Sequence, residues 1–101
     1  MDRDGPTMQQ EIEALLSAEA PTLARLEDTL TEGYARALAI EAERWRLERR
    51  LGEVAREGGN NVGEELRTLG TELTRADGEL VELRSLLGTL HERARMLRKA
   101  S

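Results

Sequence analysis

The chain has 101 residues, with 35% charged and 2% aromatic residues, no cysteine and a net charge of −5. This length allows one small domain and no enzyme core with a deep cleft, and the scarcity of rings excludes a core built around aromatic side chains. Without cysteine, disulfides, thiolate metal sites and cysteine nucleophiles are excluded.

The polar start, Met1 to Thr7, has no apolar leader core, and no run approaches the ~18 consecutive apolar residues of a membrane span. The expectation is a soluble, cytoplasmic protein with no membrane partner. Charge is unevenly placed: Asp2, Asp4, Glu11, Glu13 and Glu19 face only Arg3 up to Pro21, whereas Arg93, Arg95, Arg98 and Lys99 face only Glu92 near the end. An acidic start and a basic finish attract one another if folding brings them together.

In chain order, Met8, Ile12, Leu15 and Leu16 have helical spacing behind Thr7, a good N-cap, which predicts a short amphipathic helix from about Thr7 to Ala18. Pro21 lacks the amide that a continuing helix needs and disfavours helical geometry at Ala20, but suits a first helical turn. A break near Glu19 to Pro21 therefore leads into a second helix, over about 21–57. Its apolar seam runs Leu23, Leu26, Leu30, Gly33, Ala37, Ile40, Arg44, Leu47, Leu51 and Val54, in steps alternating between three and four residues. Gly58, Gly59, Asn60 and Asn61 tolerate left-handed backbone and end it, with the turn over 58–62.

A third helix, over about 63–99, starts with Glu64 and Glu65 where negative charge suits a helix N-terminus. Its seam is Val62, Leu66, Leu69, Leu73, Ala76, Leu80, Leu83, Leu87, Leu90, Ala94 and Leu97. The two seams describe a long antiparallel coiled-coil hairpin. Three registers are compatible with the period, centred at Arg56, at Asn60, or at Gly63 to Glu64. The Gly-Asn cluster favours Asn60, and residue sizes agree: Gly33 then meets Leu87, Ala37 meets Leu83, Leu26 meets Ala94 and Arg44 meets Ala76.

The expected fold is therefore all-α, with an acidic N-terminal segment over 1–20 carrying the short helix and an antiparallel hairpin over 21–101. A hairpin buries one stripe only, and Tyr34, Leu38, Ala42, Trp45, Val81, Leu86 and Met96 lie off it. Small folds without disulfide or metal commonly need oligomerisation. The expectation is a homodimer in which two hairpins form a four-helix bundle, with Tyr34, Leu38, Trp45, Val81, Leu86 and Met96 as candidate interface residues.

Catalysis finds little footing. His91 is the only histidine, its neighbour Glu92 points about 100° away around the helix, and no serine or cysteine nucleophile accompanies them. A bundle metal site needs Glu-x-x-His pairs, but Gly88 stands three residues before His91. No cofactor and no metal are expected. Arg44 interrupts the second helix's seam, and its stem can cover Ala76 while the guanidinium reaches Glu48 or Asp77. A polar seam residue can also set register or pairing state. Trp45 and Tyr34 suit a core or dimer contact, or a hot spot for another protein.

Arg46, Arg49, Arg50, Arg56 and Arg67 gather near the turn, but Glu43, Glu48, Glu53 and Glu57 are interleaved with them, which reads as a solvated face and not as a phosphate-tracking groove. From Arg44 to Leu90, the arginine-rich helix, Glu-Gly-Gly turn and leucine return resemble the tRNA-binding coiled-coil arm of seryl-tRNA synthetases, implying an arm that binds structured RNA. The segment Ala55-Arg56-Glu57-Gly58-Gly59-Asn60 resembles the hairpin tip of transcript-cleavage factors that enter an RNA polymerase channel. That resemblance implies a functional tip at Gly58, Gly59, Asn60 and Asn61, although Asn60 and Asn61 stand where those factors place acidic residues. The first expectation remains a non-enzymatic, self-associating module for protein–protein interaction or scaffolding.

Overall fold

The computed structural model describes residues 5–100, so Asp2, Arg3 and Asp4 of the acidic start lie outside it, as does Ser101. Among the described residues the chain forms three helices and no strand: α1 (Met8–Ser17), α2 (Leu23–Glu57) and α3 (Val62–Ala100).

α1 begins where its cap chemistry places it. The Thr7 side chain accepts from the Gln10 amide at 3.1 Å, and the Gln10 side chain accepts from the Thr7 amide at 2.9 Å. This reciprocal capping box satisfies two amides that an uncapped end leaves bare. Pro21 does not sit in the first turn of α2, in contrast to the expectation. The helix starts two residues later, at Leu23, because Thr22 caps it: its hydroxyl accepts from the Arg25 amide at 3.1 Å and its carbonyl from the Leu26 amide at 3.0 Å. A threonine hydroxyl that binds a first-turn amide outweighs the helical φ that proline offers one step earlier.

α2 ends through Gly58 and Gly59, whose φ angles of 70° and 109° lie where only glycine is unstrained. No residue other than glycine has positive φ among those described, so Asn60 and Asn61 do not take left-handed backbone as the sequence had suggested. Asn61 instead opens α3, its carbonyl accepting from the Glu65 amide at 3.0 Å. α3 therefore starts at Val62.

The residues group into two compact units. The first contains α1, α2 up to Ala37 and α3 from Glu82. Within it α2 and α3 run antiparallel: Arg98 meets Glu27 at 3.1 Å, while further along α2 Gly33 lies against Leu87, further back on α3. Leu26, Leu30, Ala37, Leu83, Leu87, Leu90 and Ala94 form its buried seam, and Ile12 and Leu15 of α1 are buried with them. α1 is seated by Ile12, whose Cδ1 reaches the Gly33 position, and by Arg93, which donates to the Leu16 carbonyl at 3.4 Å. A guanidinium at a last-turn carbonyl satisfies an acceptor that the helix itself leaves open.

The second unit is Leu38–Val81, the remainder of α2 and α3 with the turn between them. Here Arg44 binds Asp77 and Arg50 binds Glu65, so residue numbers rise along one helix as they fall along the other. Ile40, Val54, Ala76 and Leu80 are buried, whereas Leu47, Leu51, Leu66, Leu69 and Leu73 are only half-buried. Two helices shield each other's stripe from one side only, so its edges stay wet where no third helix lies over them.

Candidate functional site

On a helix with a three-four seam, the residue just after each seam position lies on one flank and the residue just before it on the other. In the second unit the preceding flank is charged. It carries Glu43, Arg46 and Arg50 on α2 and Glu65, Glu72 and Glu79 on α3, and it is bridged by Arg50 to Glu65 at 3.0 Å. The following flank is mixed: it carries Leu38, Trp45, Gly52 and Ala55 with Glu41 and Glu48 on α2, and Gly63, Gly70, Thr74 and Val81 with Arg67 and Asp77 on α3.

Leu38, Trp45 and Val81 are 66%, 58% and 69% exposed. Arg49 lies over the Trp45 ring, its guanidinium carbon 4.8 Å from the ring centre, a cation–π contact. Nothing lies within 4 Å of the space beside Gly63 and Gly70, so the half-buried leucines of the seam are accessible past them. One flank of this unit thus presents three exposed apolar side chains, one of them an indole beneath an arginine, among charged residues.

Arg44 carries its charge out of the seam. Its Nε donates to Asp77, and a terminal nitrogen lies 3.5 Å from Glu48. The side chain is 41% exposed, which is the snorkelling geometry expected of a long cation at an apolar seam.

The first unit uses its flanks the other way. Thr29, which precedes Leu30, is buried, and Arg93, which precedes Ala94, binds α1. Leu86 precedes Leu87 on that same flank and is half-buried, which sets it apart from the exposed candidates. Tyr34 follows Gly33 and is 48% exposed on the flank without α1, while Met96, 60% exposed, precedes Leu97 and so lies on the opposite flank from Tyr34. The candidate interface residues therefore divide: Leu38, Trp45 and Val81 share one strip, and Tyr34, Leu86 and Met96 belong to the first unit on differing flanks.

Comparison with known protein families, curated proteins and solved structures finds no match. The chain's own geometry therefore carries the argument.

Among the described residues, no group of three or more histidine, cysteine and carboxylate side chains is placed to hold a metal ion. A cavity of about 290 Å³ in the first unit is lined by Glu11, Arg25, Asp28, Thr29 and Glu32. The ionisable groups with displaced pKa values lie in surface pairs. A hydrogen bond from Arg95 holds the Glu92 carboxyl below its ordinary 4.5, and Glu65 raises the Arg50 guanidinium. Both shifts deepen the charged state and poise neither group for proton transfer near neutrality. No helix among the described residues is long and apolar enough to cross a membrane.

The turn shows its glycines in the geometry required to end α2, and Asn60 and Asn61 are exposed. Sequence reasoning located the off-seam apolar residues but not the difference between the flanks. The signal was present in the alternation, since residues following seam positions in the second unit are apolar or small more often than those preceding them.

Proposed function

We propose that the protein is a non-enzymatic helical module for protein–protein interaction or scaffolding, and that it self-associates into a homodimer whose core is a four-helix bundle. The observation that supports this reading is the set of exposed apolar side chains on one flank of the second unit. Leu38, Trp45 and Val81 are well exposed, and Leu47, Leu51, Leu66, Leu69 and Leu73 of the same unit are only half-buried. Burying such side chains fully stabilises an assembly by roughly 1.5–3 kcal/mol each, less what the half-burial already contributes. A flank of this kind is a typical protein-binding surface, with an aromatic anchor braced by an arginine.

Charge argues against an RNA-binding arm as the function. Arg50, near the turn, is engaged by Glu53 and Glu65, Arg49 lies over Trp45, and the chain is net acidic. A phosphate-tracking surface needs guanidinium groups directed to solvent along one face.

Sedimentation equilibrium of the wild type and of a Leu38→Glu, Trp45→Glu variant tests the reading. The wild type is expected to sediment as a dimer and the variant as a helical monomer. A wild type that remains a monomer with full helicity at ~100 μM, far above the Kd of a specific dimer, overturns it.

A further inference from the structure

The geometry points to a binding site for a small aliphatic polyamine in the cavity lined by α1 and α2. The site lies wholly in the first unit and does not depend on self-association.

α2 turns one face to this cavity. Arg25, Asp28, Thr29 and Glu32 lie at helical spacing in a single stripe, and Glu11 of α1 completes the lining. Thr29 is only 8% exposed, yet its hydroxyl is bonded to no described residue. The hydroxyls of Thr31, Thr71 and Thr89, by contrast, each donate to the carbonyl four residues back. Among the described residues, every fully enclosed side-chain nitrogen or oxygen has a partner. The unpartnered Thr29 hydroxyl is therefore reached by solvent, through the cavity that the residue lines. A largely buried hydroxyl in this state gains from a ligand that bonds it.

Charge selects the ligand. Glu11, Asp28 and Glu32 outnumber Arg25, and none of the four forms an ion pair with a described residue. A single metal ion does not fit, because no three carboxylates among the described residues are placed to share one. Positive charges strung along a chain do fit. Asp28 and Glu32 are one turn apart, about 6 Å along the axis, and ammonium groups joined by a few methylenes have a similar spacing. Each ammonium carries three donors, so one can engage Asp28 and the Thr29 hydroxyl while the next reaches Glu32 and Glu11. The cavity of about 290 Å³ has room for about ten water-sized groups, the size of spermidine. Such a ligand would also fasten α1 to α2. α1 has 10 residues, too few to be stable alone, and it is seated by Ile12, Leu15 and the Arg93 contact.

Calorimetric titration of the full chain with spermidine, at about 0.15 M ionic strength to screen diffuse attraction, tests the site. Amide exchange of α1 is followed alongside, and circular dichroism checks that each variant is folded. The expected result is one saturable site, weakened about threefold or more in Glu11→Gln and Glu32→Gln. Thr29→Val, which keeps the shape but loses the hydroxyl, should weaken it about threefold, and Thr29→Ser should restore it. Arg25→Gln, which removes a repelling charge, should tighten binding about twofold. Glu13→Gln changes a carboxylate of α1 outside the lining and should leave affinity unchanged. Bound spermidine should slow exchange in α1 of the wild type and not of Glu11→Gln. Absence of saturable binding overturns the proposal. Equal losses in Glu13→Gln and Glu11→Gln also overturn it, since they leave only general attraction to an acidic chain. Unchanged affinity in Thr29→Val, weaker binding in Arg25→Gln, or binding that leaves exchange in α1 unaltered overturns the site as built.

Discussion

Gly33 shows how much one missing side chain decides. It is buried within α2 where a Cβ would collide with Leu87 and touch Ile12 of α1, so its bareness lets both apolar side chains reach the backbone. Gly88, by contrast, has nothing within 4 Å of its Cβ position and costs α3 the usual entropy of a helical glycine. Substitutions at the two glycines should therefore move stability in opposite directions. Gly33→Val is expected to destabilise by about 1–3 kcal/mol through overpacking, and Gly88→Ala to stabilise by about 0.5–1 kcal/mol. Urea midpoints should shift down for the first and up for the second. That Gly33 faces Leu87 was legible from spacing and residue size. That Ile12 also closes on it was not, because nothing near Gly33 in sequence announces a third helix.

At the scale of elements, caps and seams account for where each helix lies. Thr7 and Thr22 start α1 and α2, and Gly58 and Gly59 end α2. Arg44 is the one charged residue in the α2 seam, and its contacts to Asp77 and Glu48 involve side chains that are each two-fifths or more exposed. Pairs so exposed are worth about 0–1 kcal/mol, whereas a leucine at the same position buries apolar surface worth about 1.5 kcal/mol or more. Arg44→Leu should therefore raise the stability of the protein by about 1 kcal/mol without changing its sedimentation behaviour. A thermal melt checks the first part, and a change in oligomeric state would reveal a role for Arg44 in pairing. The exposed positions of Leu38, Trp45 and Val81 were legible as departures from the seam period. Leu86 departs from it equally but is half-buried, and periodicity cannot distinguish the two cases, since it specifies a direction around one helix and not what occupies that direction.

Across the molecule the two units should differ in how their backbones open. In the first, the seam residues from Leu26 to Ala37 and from Leu83 to Ala94 are buried, and α1 packs against this part through Ile12 at Gly33. In the second, the leucines from Leu47 to Leu73 are half-buried. Amide hydrogen exchange is expected to be slowest in the first set at every protein concentration, and to slow in the second set as concentration rises and dimers form. Exchange in the second set that is independent of concentration would count against self-association. The sequence alone determined three helices, the Thr7 cap of α1, the glycines that end α2, a seam shared by α2 and α3, and a turn at the Gly-Asn cluster. These follow from period, cap chemistry and backbone tolerance, all of which act over a few residues. Only the tertiary structure decided which flank of the first unit α1 covers. Its covering contacts, Ile12 at Gly33 and Leu16 with Arg93, join residues far apart in the chain, and side chains on either flank of a seam look alike until a distant helix buries one of them.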